Sequence, residues 1–283
     1  MIAPSRRRRG GFTLVELAVV LAIVGLLLGS LMYTLSAQVE RRDFEETRRR
    51  LEQARELVLT FAMINGRLPC PARNANTLVP ATVAGDEVRS AAGQCIGDAV
   101  EDYYGGTSAG PPVATLGFLP ARTIGVQQVD SEGFAVDAWG NRLRYVVAKT
   151  KTNCVPAVAP NVLLDPHFVQ ASNLKNNGIA CQPNDLLICK SATGITAAAC
   201  GGAANQLMSQ SLVVAIIYST GKNATSVTGG TGLDEAANLN GDPVFVYHTP
   251  APSDAANGEF DDQFVWITVG ELYGKLIAAG QLP

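Results

Sequence analysis

The sequence predicts an α+β protein: a long N-terminal helix, apolar in its first half and amphipathic in its second, packed on an antiparallel β-sheet head. Three observations carry the prediction. Leu17–Leu35 holds no charged side chain. Apolar residues then recur at helical spacing as far as Phe61. From about Leu68 the composition turns to Gly, Pro, Asn and Thr around short apolar runs, the pattern of strands joined by turns. With 283 residues, 47% of them hydrophobic, the chain has room for that helix and one head of ~150–250 residues.

The uncharged run follows four arginines, Arg6–Arg9, and Glu16 stands at its head. As a helix it spans roughly 28 Å, close to the hydrocarbon thickness of a bilayer. The arginines set the N-terminus on the cytoplasmic side, which places everything after about Leu35 across the membrane. A secretory signal peptide explains the basic start. It explains neither the length of the run nor the lack of a small-x-small cleavage site before Glu40. A plain single-pass anchor explains the arginines and the length but leaves Glu16 unaccounted for, since a carboxylate at membrane depth costs up to ~3 kcal/mol and marks a functional pairing.

The helix continues beyond the membrane run. Phe44, Leu51, Ala54, Val58 and Phe61 recur at spacings of three, four and seven, one stripe to pack on a head. Glu45–Arg49 and Glu46–Arg50 read as i,i+4 pairs, and Arg48, Arg49 and Arg50 as a solvated face. Asn65-Gly66 is a stop signal, with Pro69 and Pro71 beyond it, so residues 12–64 form one helix of roughly 80 Å. Strands are expected at Leu143–Ala148, Leu186–Lys190, Leu212–Ser219, Val244–His248 and Phe264–Ile267, with a short last helix over Glu271–Ala279. Residues 70–130 read as loop-rich.

Charge and cysteines narrow the function classes. The formal charge is −3, and removing residues 1–11 takes away four arginines and leaves −7, which argues against nucleic acid as a partner. All six cysteines lie after the apolar run, which reads as disulfides in an oxidising compartment. Proximity pairs Cys70–Cys95, Cys154–Cys181 and Cys189–Cys200, one of 15 possible pairings. No CxxC is present, so a zinc site is not expected. Catalysis has little to work with. His167 and His248 are the two histidines, and both read as structural or surface residues. Ser219-x-x-Lys222 follows a strand rather than opening a helix, as an acyl-transfer serine must. Neither Gly105-Gly106 nor Gly229-Gly230 is followed by the Lys-Ser/Thr of a phosphate loop. The chain is not expected to be an enzyme.

Gly11-Phe12-Thr13-Leu14-Val15-Glu16-Leu17, behind a short basic leader, resembles the prepilin signature of type IV pilins and type II secretion pseudopilins. The resemblance implies a leader at 1–11, cleavage between Gly11 and Phe12 by prepilin peptidase, methylation of the Phe12 amine, an assembly and membrane helix at 12–35, its amphipathic continuation at 36–64 and a periplasmic head at 65–283, in all a pilin-like fold. It gives Glu16 a reason. When apolar helices leave lipid to pack in a filament, the carboxylate of one subunit meets the N-terminal amine of a neighbour and pins the stagger. Asp137-Ala138-Trp139-Gly140-Asn141-Arg142-Leu143-Arg144-Tyr145 resembles the Asp-Pro-Trp-Gly-Asn…Tyr stretch that opens the sheet of major pseudopilins. It reads as a turn in which Asp and Asn bond backbone, Gly takes the left-handed conformation and the tryptophan plugs the core. The loop after Tyr218-Ser219-Thr220-Gly221-Lys222-Asn223 corresponds to one that binds calcium in pseudopilins. Here Asp234, Glu235, Asn238, Asn240 and Asp242 offer oxygen ligands, joined by Asp261 and Asp262 if the last strand returns beside them. A plain turn held by Asx hydrogen bonds is the alternative.

Major subunits often carry a proline where Tyr33 stands, and the processed chain is larger than a typical repeating subunit. Both features point to a minor pseudopilin, at the tip or as initiator, in a type II secretion system. The resemblance implies other pilin or pseudopilin subunits, an inner-membrane assembly platform, and the secretin or secreted cargo as partners. A minor type IV pilus subunit and a membrane-anchored periplasmic enzyme are the other readings.

Overall fold

The computed structural model describes residues 13–72, 84–87, 89, 95, 117–150, 167–224 and 230–282, without the side chains of 28 and 30–37. Helix α1 runs over Leu14–Asn65. It passes through both compact units of the chain, Met1–Glu45 and Glu46–Pro283. In the first unit Leu14, Val15, Leu17, Leu21, Leu26 and Leu27 are exposed. Among the described residues no helix is long and apolar enough to cross a membrane, and the run from Leu17 to Leu35 includes positions outside that description.

In the second unit α1 buries Thr47, Leu51, Ala54, Val58, Leu59 and Ala62, a stripe at i, i+3 and i+4. Phe61 lies at its margin, partly buried, with the Arg67 guanidinium 4.9 Å above its ring. The helix stops at Asn65-Gly66 as expected, where Gly66 N–H returns to the carbonyl of Ala62 at 2.8 Å.

After α1 come α2 (Ala121–Ile124), β1 (Arg144–Val147), α3 (Ala171–Asn177), β2 (Leu187–Cys189), β3 (Gln206–Met208), β4 (Val213–Ser219), α4 (Leu233–Ala237), β5 (Val244–Val246), β6 (Gln263–Thr268) and α5 (Val269–Ala278). The five expected strands correspond to β1, β2, β4, β5 and β6, and the expected last helix to α5. The short β3 and helices α2, α3 and α4 carry too few residues to show a period in sequence.

The main sheet is antiparallel in the order β1-β4-β6. Its centre, β4, is buried along its whole length, which is why it is the most continuously apolar strand of the head. The antiparallel sheet is the one expected; beside it a second, small sheet, β3-β2-β5, is mixed, with β2 antiparallel to β3 and parallel to β5. The chain between Cys189 and Val244 crosses the main sheet through β4 and returns through α4, long enough for a parallel connection. Leu51, Val58, Tyr145, Ile216, Phe245 and Leu272 belong to one core shared by α1, both sheets and α5.

Two polar ties hold α1 on this core. The Arg55 fork donates to Glu271 Oε1 and Oε2 at 2.6 and 2.5 Å and to the carbonyl of Trp266 at 3.0 Å, joining α1 to the start of α5 and the open edge of β6. Arg50 donates to the carbonyls of Val136 and Asp137 at 3.0 and 2.7 Å. Arg50 is therefore not part of a solvated face. Its pair with Glu46 is present at 2.9 Å, while Arg49 turns to Glu46 as well, at 2.6 Å, rather than to the expected Glu45.

Disulfides Cys70–Cys95 and Cys189–Cys200 are formed as expected. Cys181 is also disulfide-bonded; its expected partner, Cys154, lies outside the described residues.

Candidate functional site

Three groups of residues singled out in the sequence carry polar geometry. The first is the start of α1. Gly11 and Phe12 lie outside the described residues. Thr13 and Glu16 cap the helix reciprocally: Glu16 Oε2 accepts from Thr13 N–H and Oγ–H, both at 2.9 Å, and Thr13 Oγ1 accepts from Glu16 N–H at 3.3 Å. This is a capping box, written in the sequence as Thr-x-x-Glu before an apolar run. In the sequence this signal stands beside a stronger one, the cost of a charge in lipid, which overshadows it. The carboxylate therefore has a local partner, and its exposed position leaves it open to another.

The second group is the Asp137–Asn141 turn. Asp137 is buried, and its Oδ1 accepts from the N–H of Trp139 and Asn141 at 2.9 and 2.8 Å. Oδ2 accepts from Ser219 Oγ at 2.6 Å at the end of β4. Gly140 is left-handed at φ 88°, which a side chain would resist. Burial pushes the Asp137 carboxyl above its ordinary range despite these donors. The turn is thus the structural element the sequence implied, with one correction. Trp139 is half-buried at the turn, and the large fully buried rings nearby are Phe134 and Tyr145. A turn residue whose neighbours are Asp, Gly and Asn stays at the rim because those neighbours need water or backbone partners.

The third group is acidic. Glu235 of α4 and Asp261 and Asp262, just before β6, bring one carboxylate oxygen each to within 4.8 Å of one another, all three buried. Most of their remaining oxygens are used. Glu235 Oε2 accepts from Thr231 and Gly232 N–H at 2.8 and 2.9 Å, and its Oε1 from Asp261 N–H at 3.1 Å. Asp261 Oδ2 accepts from Lys222 and Asn223 N–H at 2.9 and 3.2 Å. Asp262 Oδ2 accepts from Asn238 Nδ2 at 2.6 Å. Asp261 Oδ1, Asp262 Oδ1 and Asn223 Oδ1 are buried without a hydrogen-bond partner. Burial and the neighbouring Glu235 push Asp261 up to about 6, and burial pushes Asp262 up as well. Buried oxygens without donors, at close spacing in an acidic set, are what a hard divalent cation binds.

The five ligands expected from the loop alone are distributed differently. Glu235 joins the cluster. Asp234 turns away to Ala192 N–H, to Asn257 Nδ2 at 2.9 Å and to His248 Nε2 at 3.1 Å, which holds the Cys189–Cys200 loop to α4. Asn238 spends its amide on Val246 N–H and C=O at 2.7 and 3.0 Å as well as on Asp262. Asn240 and Asp242 form an Asx turn that caps β5 through Val244 N–H at 2.8 Å. Asp261 and Asp262, offered in sequence as conditional ligands, are central, because β6 does return beside the loop after β4. Asn223 is a further oxygen at the site; its signal in sequence is a place two residues after the left-handed Gly221.

The histidines lie elsewhere. His167 is buried, and burial lowers its pKa to about 4. His248 stacks on Phe260 at 4.0 Å between ring centroids. Ser219 of the Ser-x-x-Lys motif ends β4 and is held by Asp137, as its strand context implied.

Comparison with known families finds one match, the model described as prokaryotic N-terminal methylation motif, over residues 6–32. Neither a curated protein nor a solved structure matches the chain. The matched segment spans Arg6–Arg9, the Gly11-Phe12 bond, Glu16 and most of the apolar run, and a membrane-anchored N-terminus follows from it. With its α+β head on a long N-terminal helix, the chain bears the signature of the type IV pilins and pseudopilins.

Proposed function

We propose that the chain is a minor pseudopilin of a type II secretion system. It crosses the bacterial inner membrane once, with the N-terminus in the cytoplasm and the head in the periplasm. Prepilin peptidase cuts after Gly11 and methylates Phe12, and the inner-membrane platform feeds the subunit into a periplasmic filament. The observation that carries this reading is the methylation motif at residues 6–32, in which Glu16 is the fifth residue of the processed chain. The exposed apolar side chains of Leu14–Leu27 support it, since they need lipid or neighbouring helices to cover them. On leaving lipid, Glu16 exchanges its capping partner Thr13 for the amine of a neighbouring Phe12. A buried carboxylate is tolerable only with such a partner, so the pair selects the stagger between subunits.

The head works by surface and not by catalysis, contacting other subunits, the secretin or secreted cargo. The likeness of Asp137–Tyr145 and of the stretch from Ser219 to Asp242 to pseudopilins supports the secretion system over the pilus. Within the head, Glu235, Asp261 and Asp262 with Asn223 would hold a calcium ion. Its positive charge offsets three buried carboxylates that otherwise repel one another.

Glu16→Ala is the test. The variant is expected to insert in the membrane as the native chain does and to be missing from sheared or crosslinked filaments, with secretion impaired. Normal incorporation of the variant refutes the role given to Glu16. Loss of surface pili with secretion intact refutes the secretion system in favour of the pilus.

A further inference from the structure

The carboxylate cluster and the seat of α1 are joined by an unbroken set of hydrogen bonds through the Asp137–Asn141 turn. Asp261 Oδ2 holds Lys222 and Asn223 N–H at 2.9 and 3.2 Å. The residue before them, Gly221, sits so close that a Cβ there would lie 1.6 Å from Asp261 Oδ1, at φ 68°. Its carbonyl accepts from Asn141 Nδ2 at 2.7 Å, and its N–H donates to Ser219 Oγ at 3.1 Å, which itself donates to Asp137 Oδ2 at 2.6 Å. On the other side of the turn, Ala138 N–H donates to Thr47 Oγ1 of α1 at 3.1 Å. The carbonyls of Val136 and Asp137 accept from Arg50 Nη1. Thr47 is fully buried, so its hydroxyl has no water to fall back on.

The two ends respond to the same loop. Asp261 and Asp262, with a buried oxygen each that has no donor, are repelled by Glu235 and by each other unless a cation stands among them. Segment 220–224 is the piece that moves if Asp261 moves, because Asp261 grips its backbone twice and packs on Gly221. It also bonds Asn141. We propose that Asn141 is the positioning residue that couples the carboxylate cluster to α1: a divalent hard cation held by Glu235, Asp261 and Asp262 tightens the turn, and the turn tightens its grip on Thr47 and Arg50. This rests on the cation reading above. Coupling of this kind is reciprocal, so breaking it weakens cation binding by the factor by which the cation ceases to protect α1.

The experiment is hydrogen exchange of the full chain in detergent micelles, with and without calcium, read on peptides that cover residues 46–58, alongside titration calorimetry with calcium. In the native chain calcium is expected to slow exchange there about fivefold, the scale of one intramolecular hydrogen bond. In Asn141→Ala calcium still binds, about fivefold more weakly, and the slowing disappears. Thr47→Val, nearly isosteric, tests the other end of the path and is expected to lose the slowing too. It also keeps the test open if Asn141→Ala does not fold, which far-ultraviolet circular dichroism reports. Calcium binding with no change at 46–58, or full slowing retained in either folded variant, overturns the coupling alone. No heat of binding to the native chain overturns the cation reading and the coupling with it.

Discussion

Replacing Asp137 by Ala should cost the head about 2 to 3 kcal/mol, and replacing it by Asn less than about 1 kcal/mol. The carboxylate serves three donors: the N–H groups of Trp139 and Asn141 and the hydroxyl of Ser219. A donor stripped of its partner costs roughly 1 kcal/mol where water can still reach it and up to ~3 kcal/mol where it cannot. Trp139 and Asn141 are half-buried and Ser219 is fully buried, so the gross loss is about 3 to 5 kcal/mol. Against this stands the burial of the charge, which pushes the Asp137 carboxyl above its ordinary range. A raised carboxyl favours the folded state when protonated. That contribution is complete below the ordinary carboxylate range and is lost as pH rises through the folded value, so at neutral pH the ionised form is a burden that alanine removes, which brings the net loss below the gross one. Asparagine keeps an acceptor for the two N–H groups and offers Ser219 a donor, without the charge. At roughly 2–4 °C per kcal/mol for a head of this size, alanine should lower Tm by about 5–10 °C and asparagine by less than about 3 °C. Thermal unfolding of the full chain in micelles, followed by circular dichroism at neutral pH, reads both. Equal losses for the two variants would refute the hydrogen-bond account of the turn, and so would a fall below about 2 °C for alanine.

Two further outcomes follow from the described residues. Burial holds His167 at about 4 against an ordinary value of ~6.5, so the unfolded chain takes up a proton that the folded head refuses. As pH drops from ~6.5 to ~4 the native chain should therefore lose up to a few kcal/mol of stability relative to His167→Leu, while the raised carboxyls of Asp137, Asp261 and Asp262 act in the opposite sense in both proteins; a variant with the same acid dependence would refute it. Peptide mapping without reduction should recover Cys70 linked to Cys95 and Cys189 linked to Cys200, with Cys181 oxidised. Alkylation of any of these five in the unreduced protein would refute the framework.

How far the sequence reaches depends on the length over which a signal repeats. α1 and its stop at Asn65-Gly66 were legible because helical periodicity over dozens of residues is redundant. The five strands were legible because each is a compact apolar run between turn residues. Helices α2, α3 and α4 were not, since four to seven residues define no period. The parallel pairing of β2 with β5 was also out of reach, because strand direction is decided by the path of the chain between them. At the acidic site, residue type was legible and partnership was not. Asp234, Asn238, Asn240 and Asp242 look like ligands in sequence, yet each finds a protein donor nearby. Asp261 and Asp262 join Glu235 through a strand pairing some forty residues away in the chain. Arg50 shows the same effect, reaching carbonyls at Val136 and Asp137 that no local pattern points to.

The central claim is that residues 6–32 direct cleavage after Gly11 and modification of Phe12, so that Glu16 meets a processed amine. Intact-mass and N-terminal peptide mass spectrometry of the protein taken from its native membrane tests it directly. The account predicts a chain that begins at Phe12 and carries one methyl group on its amine. An intact leader with Met1 retained and Phe12 unmodified would contradict it.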